Sequence, residues 1–251
     1  MPARRFFVAG THEVGSLVEI DGSDVHKIAN VLRMRAGDAL EIVDSSGTLF
    51  AATLMGNSER LRAELVRCQA TPAAEVLRVD IAQAVPKGSK MDYVIEKSTE
   101  LGAGAILPFT SERSIAGEGG GNKVDRWRRL AENAARQCGR LDVPRVADVV
   151  TFEQTLAAFE NYDVALFAWE LAPQIPLRDR LEQTLRGVRS VIVAIGPEGG
   201  FSHSEAEAAT ASGAELLWLG PRILRTETAA LALLAVIGAF ADASVATTGR
   251  N

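Results

Sequence analysis

Two glycine-bearing turns, each leaving an apolar run and entering a helix, constrain this chain more than any other feature. The first is Ile195-Gly196-Pro197-Glu198-Gly199-Gly200-Phe201-Ser202, after the apolar run 188–195. The second is Leu219-Gly220-Pro221-Arg222-Ile223-Leu224-Arg225-Thr226-Glu227-Thr228, after the short run 215–219. Turns of this kind, about twenty residues apart, fit side by side at one edge of a parallel sheet. Glycine allows positive φ and close approach of backbone to a ligand, and open α/β sheets bind ligands at the carboxyl ends of their strands. The C-terminal third therefore reads as a small-molecule pocket built mostly from main chain.

The rest of the chain supplies the frame. From residue 76 onward the rhythm is β-α-β-α: strands at 76–85, 105–109 and 163–168, and helices at 90–101, 123–138 and 151–159, with a loop and helix over 173–185. Gly102 closes the helix 90–101. Residues 1 to about 70 read differently. Short apolar runs at 17–20, 39–43, 49–54 and 61–66 are separated by turns, with Ser45-Ser46-Gly47 as a hairpin, and one helix, capped by Ser23, spans 24–34. The reading is α/β with a small β-barrel domain at 1–72 and a larger domain at 73–251, joined near 69–74. The last helix, 228–240, is apolar on all sides and is expected to be buried. Residues 117–121 are glycine-rich and read as a loop, and the tail 249–251 as frayed.

Composition narrows the class. The 251 residues carry a net charge of −5, so bulk charge does not advertise a nucleic-acid partner. Cys68 and Cys138 are the only cysteines, and His12, His26 and His203 are scattered, so no metal site is encoded and a reduced, cytoplasmic protein is expected. No apolar run reaches membrane-spanning length, and the N-terminus has no signal-peptide core.

The turn at 196–200 is neither a phosphate loop nor a dinucleotide fingerprint. Ser202 and Glu205 form a capping box directly after it, so helix amides face the pocket. At the second turn, Arg225 stands between the pocket and an apolar helix and is expected to reach into the cleft or to pair with another group, a surface ion pair near the helix start being the plainer reading. In the helix 123–138, Val124, Trp127, Leu130, Ala131, Ala134, Ala135 and Cys138 share one face, while Arg129 and Arg136, with Arg126 nearby, lie opposite and Arg140 continues the line. Seven basic and three acidic residues occur between 123 and 145. Acidic partners at i,i+4 are few, which leaves two readings: a solvated face, or an RNA footprint. Arg4, Arg5, Arg33 and Arg35 add positive charge near the N-terminus, and Phe6 and Phe7 read as core.

These elements, in order, resemble the bacterial 16S ribosomal RNA uracil-N3 methyltransferases of the SPOUT superfamily. The resemblance covers nearly the whole chain: Arg4-Arg5-Phe6-Phe7-Val8, His26 through Gly37-Asp38, Lys90-Met91-Asp92, Glu96 to Gly102, Glu112-Arg113-Ser114, Trp127, Ala134 to Arg140, Val143-Pro144, and both glycine turns. It implies a PUA-like RNA-binding barrel and a methyltransferase domain with a trefoil knot, a rare exception among folds. It implies S-adenosylmethionine as cofactor, 16S ribosomal RNA as substrate and a homodimer. The cofactor residues it implies are Glu170, Gly196, Pro197, Glu198, Gly199, Gly200, Leu219, Gly220, Ile223, Leu224 and Arg225. Arg225 and Glu227 are the catalytic candidates, and Arg4, Arg5, Arg33, Arg113, Arg129, Arg136 and Arg140 the RNA-binding ones. Glu198 and Glu227 are the carboxylates nearest the turns in sequence, and no general base is identifiable. Two alternatives stay open: a SPOUT enzyme acting on transfer RNA or on ribose 2′-OH, and a non-catalytic RNA-binding assembly factor.

Overall fold

The computed structural model describes residues 4–20, 22–57, 60–71, 77–114 and 121–248. Residues 72–74 of the expected linker, the glycine loop at 117–120 and the tail 249–251 lie outside these residues. Two compact units are present, one formed by Met1–Ala74 with Ala135–Val143 and the other by Glu75–Ala134 with Pro144–Asn251.

In the first unit a five-stranded sheet has the order β1-β3-β4-β5-β2, where β1 is Arg5–Phe7, β2 Leu17–Glu19, β3 Ala39–Val43, β4 Leu49–Asn57 and β5 Arg60–Ala70. The β1–β3 pair is parallel, and the remaining pairs are antiparallel. The hairpin at Ser45-Ser46-Gly47 is present. The Asp44 carboxylate accepts from the Ser46 and Thr48 amides at 2.9 and 3.0 Å, and Gly47 takes φ +80°. Shifts of register near Phe50 and Ala52 leave extra residues on β5 and bend the ribbon. One side of the sheet closes over Phe6, Val18, Ile28, Ile42, Phe50, Leu54 and Leu65.

The helix expected over 24–34 is shorter. Helix α1 is Gly22–His26, followed by a π-helical turn at Lys27–Val31 in which the Leu32 amide donates to the Lys27 carbonyl at 2.9 Å. The wider turn puts Ile28 into the core and ends the helix before Arg33, whose φ is +52°.

The second unit is a parallel α/β sheet. Its strands are β6 (Arg78–Ala84), β7 (Ala105–Thr110), β8 (Arg145–Val146), β9 (Val150–Thr151), β10 (Val164–Ala168), β11 (Ser190–Ile195) and β12 (Glu215–Leu217). They run in the order β12-β10-β11-β6-β7-β8, with β9 also on β7. Its helices are α2 (Lys90–Glu100), α3 (Gly121–Cys138), α4 (Phe152–Ala158), α5 (Leu177–Thr184), α6 (His203–Ala211) and α7 (Thr226–Thr248). Both faces of the sheet are covered, as a parallel sheet requires. Val79, Ile81, Ile106, Leu166, Val191 and Val193 point to one side. Ala82, Ala105, Phe109, Phe167, Ile192 and Ala194 point to the other, where Phe109, Phe152, Phe167 and Phe201 cluster. Beside the amino end of β6, the fully buried Asp80 carboxylate accepts from Arg78 and from the Tyr162 hydroxyl at 2.6 Å. Burial, followed by that bond, raises the Tyr162 pKa.

The last turn of α3 and the residues after it do not cluster with the larger unit but with the first. Arg5 and Arg136 are the reason. Arg5 donates to the Gly139 carbonyl at 2.6 Å, and Arg136 pairs with Asp24. Helix α7 is also not buried all round. Ala229, Ala230, Leu233, Leu234 and Ile237 face the core, while Ala235 and Ala239 are exposed. Among the described residues no helix is long and apolar enough to cross a membrane.

Candidate active site

The glycine turns flank a strand instead of lying next to each other. β10 sits between β11 and β12, and Ala168 at its end pairs with Ile195 on one side and Leu217 on the other. All three strands run parallel, so the chain leaves them at the same edge of the sheet. The three exits, 169–171, 196–200 and 218–225, line a cavity of about 820 Å³ together with Lys90, Gln174, Thr226 and Ala229. This volume lies in the range of small-molecule sites. Apolar residues of the lining include Ile195, Leu219, Leu224 and Ala229, and all five residues of the 196–200 turn contribute to it.

The first turn is held by specific bonds. The Gly200 amide donates to the Pro197 carbonyl at 3.0 Å, and Gly200 takes φ +66°. This position needs glycine for its conformation; a Cβ would also stand 2.9 Å from the end of the Glu170 side chain, which would have to turn aside. Ser202 and Glu205 make the expected capping box, at 3.2 and 2.9 Å. The other Glu205 oxygen accepts from the Glu112 amide at 2.9 Å, and Arg113 donates to the Gly199 carbonyl at 2.7 Å. The segment 111–114 is thereby docked on the turn.

Glu198 is engaged in structure. Its carboxylate accepts from the Lys90 ammonium at 2.6 Å and from the Lys87 amide at 3.0 Å. Burial pushes its pKa up, but these bonds outweigh burial and hold it below the usual glutamate value. A carboxylate kept ionised and already carrying two donors is a poor proton acceptor. Glu227 is absent from the cavity lining: Thr226 and Ala229 face the cavity, while Glu227 lies on the flank of the first turn of α7. Glu170 lines the cavity. Arg222, Ile223 and Arg225 stand exposed at its rim.

At the start of α7, the buried Thr226 hydroxyl donates to the Gly196 carbonyl at 2.6 Å and accepts from the Gln83 amide at 2.8 Å. Gln83 is wholly buried and also donates to the Ala84 carbonyl at 2.9 Å. A buried amide without partners costs about 1–3 kcal/mol, so these bonds decide whether Gln83 is tolerated. Sequence reading did not assign Lys90, Trp169, Trp218 or Gln83 to the site; Lys90 and Gln83 lie far from the glycine motifs along the chain, while Trp218 stands directly before the second and Trp169 beside Glu170. Thr226 stood inside the second motif, but it gave no sign of its role.

Most of the basic stripe is engaged in ion pairs. Arg136 is bidentate to Asp24 with both bonds at 2.6 Å, and its guanidinium stacks near Phe6 and Phe7. Arg140 pairs with Asp142, and Arg5 with Glu41. Arg126 reaches Asp92, and Arg128 reaches Asp148. The acids absent at helical spacing come from elsewhere in the chain. Of the three helix-line arginines, Arg129 is solvent-facing, as are Arg4 and Arg33 nearer the N-terminus. Among the described residues no group of three His, Cys, Asp or Glu side chains is placed to hold a metal ion.

A backbone-lined cavity where parallel strands end, in a chain that also carries a bent five-stranded sheet, is the build of an RNA methyltransferase. The family model described as RNA methyltransferase domain matches residues 73–238, and the RNA methyltransferase PUA domain matches 20–65. The chain belongs to the ribosomal RNA small subunit methyltransferase E family. It is 35% identical to the Bacillus subtilis member over 93% of this chain and 95% of that one. Against the Mycobacterium bovis member it is 32% identical, with 95% and 92% covered. The solved Neisseria gonorrhoeae member, bound to S-adenosyl methionine, superposes with a TM-score of 0.84 at 29% identity, covering 95% of this chain and 98% of that one. A Legionella pneumophila structure in complex with the cofactor SAM gives 0.82 at 28% identity, with 95% and 98% covered.

Proposed function

We propose that this protein methylates N3 of one uridine in small-subunit ribosomal RNA, with S-adenosylmethionine as methyl donor. The observation that carries the reading is the cavity at the shared edge of β10, β11 and β12. Its main-chain groups, apolar wall and Glu170 carboxylate suit a ligand with a planar apolar part and a cationic part. The Gly200 cradle, which a Cβ would fill, fits close approach of such a ligand. Bound there, the cofactor supplies an electrophilic methyl group.

The chain's own residues have three tasks. The turns 196–200 and 219–225 orient the donor and exclude water. Arg225 and Arg222 at the rim grip the RNA, and their charge favours the ring anion that N3 must become before it attacks. Unstacking the uridine brings it within reaction distance. Arg4, Arg33, Arg113 and Arg129 are the proposed RNA contacts. Glu198 is assigned to holding the turn.

We further infer a homodimer in the cytoplasm and a knotted crossing of the two turns. The apolar outer side of α7, with Leu231, Ala235 and Ala239, supports the dimer, as do the exposed Leu171 and Ile223 at the cavity rim. The bond from Thr226 back to Gly196, which ties the second turn to the first, supports the crossing.

The direct test is transfer of labelled methyl to small-subunit RNA by the purified protein, run beside calorimetric titration with S-adenosylmethionine. Saturable binding and N3-methyluridine as the sole product are expected. A protein that binds the RNA but neither the cofactor nor label would be an assembly factor.

A further inference from the structure

We propose that Gln83 and Thr226 are positioning residues that set the cofactor turn through the Gly196 carbonyl. The inference rests on the cofactor reading above and adds how the pocket is held in shape before anything binds.

Gly196 lies one residue past Ile195, the last paired residue of β11, so its carbonyl has left the ladder. The next residue is Pro197, which has no N–H. The peptide between them therefore has a single hydrogen-bonding group, and Thr226 Oγ1 donates to it at 2.6 Å. A threonine hydroxyl has one proton. With that proton committed to Gly196, the bond to Gln83 runs the other way, from Gln83 Nε2 to Thr226 Oγ1, at 2.8 Å. The direction is fixed along the whole relay, from strand β6 through the first residue of α7 to the turn after β11. Such chains of bonds strengthen one another in a low-dielectric interior.

The surroundings argue that the relay serves the site and not the core. Gln83 projects to the side of β6 that also carries the buried Val79, Ile81 and Val85. A residue such as methionine would pack there without needing partners. What Gln83 adds is two donors, one to its own strand at Ala84 and one to Thr226. Thr226 also lines the cavity, and through these two residues the turn at 196–200 and the end of the turn at 219–225 are tied to one central strand. A pocket fixed before binding loses less freedom when its ligand arrives, which raises affinity.

The test uses the full chain and S-adenosylmethionine titrated by calorimetry, with thermal unfolding and circular dichroism of the unliganded protein alongside. Thr226→Val keeps the shape and burial but leaves the Gly196 carbonyl without its donor and Gln83 with only the Ala84 carbonyl. Its Kd should rise about tenfold or more, the loss expected from one broken buried bond. Thr226→Ser, which restores the hydroxyl, should return within about twofold of wild type. Gln83→Met should weaken binding in the same direction by a smaller factor. At saturating donor the variants should keep kcat and show the loss in KM. Amide exchange in the unliganded Thr226→Val protein should quicken at Gly199 and Gly200. A folded Thr226→Val protein with wild-type Kd overturns the proposal. Should Thr226→Val not fold, wild-type affinity in Gln83→Met overturns it equally. Wild-type protein that binds no S-adenosylmethionine removes the cofactor reading itself, a result that cannot be confused with the others.

Discussion

Arg136 and Asp24 meet end-on, with Nη1 and Nη2 each 2.6 Å from one carboxylate oxygen and side chains only 10% and 5% exposed. Removing one member of a buried pair strands the other charge. Arg136→Gln is therefore expected to destabilise the protein by about 3 kcal/mol, read as a lower urea midpoint with unchanged slope. Arg129→Gln, on the exposed side of α3, should leave the midpoint alone. Equal midpoints for the two variants would contradict this assignment.

The exposed arginines carry the RNA predictions. Changing Arg4, Arg33 and Arg129 together to Gln should weaken RNA binding and flatten its salt dependence by roughly one unit of slope per lost phosphate contact. S-adenosylmethionine affinity should not move, because these residues lie outside the cavity lining. Arg225→Ala should lose more in turnover than in RNA affinity. An unchanged salt slope in the triple variant would leave the RNA site elsewhere.

Gly200→Ala imposes a side chain at φ +66° and sets its Cβ 2.9 Å from Glu170. The left-handed conformation alone costs about 1–2 kcal/mol, so the turn should relax and cofactor affinity should fall steeply. Gly199→Ala is the control. Its Cβ would meet the flexible Arg113 side chain at 3.3 Å, where a small shift suffices. Calorimetry on both, with Gly199→Ala close to wild type, checks the difference.

Glu198 supplies a pH signature. Its folded pKa is depressed, because the bonds from Lys90 and Lys87 outweigh burial. A depressed carboxylate contributes stability that is present above its unfolded pKa, about 4.3, and is lost as pH falls through the lower folded value. Cofactor affinity should therefore hold down to about pH 4–5 and fall below it as the turn loosens. Glu198→Gln should bind more weakly at pH 7 and lose that acid-side fall. An identical pH profile in the variant would show that the Glu198–Lys90 contact does not hold the turn.

The glycine turns, the capping box at Ser202 and Glu205, and the β-α-β rhythm were legible in the sequence because each depends on neighbours a few residues away. The placement of β10 between β11 and β12 was not, since strand order depends on pairing across the whole domain. The ion pairs of the basic stripe were hidden for the same reason. Counting acids at i,i+4 along α3 overlooked Asp24, Asp92 and Asp148, which arrive from distant segments. The π-helical turn at Lys27–Val31 likewise answers to where Ile28 must pack, not to local propensity. Glu198 looked like a candidate acid or base until its partners Lys90 and Lys87 were in place, more than a hundred residues away along the chain.

The central claim is methylation of a single uridine at N3, and mass-spectrometric mapping of small-subunit ribosomal RNA from a strain lacking this gene tests it most directly. One N3-methyluridine should be missing, return with the wild-type gene, and stay missing with Gly200→Ala. Ribosomal RNA with an unchanged set of methylated uridines in the deletion strain would contradict the account.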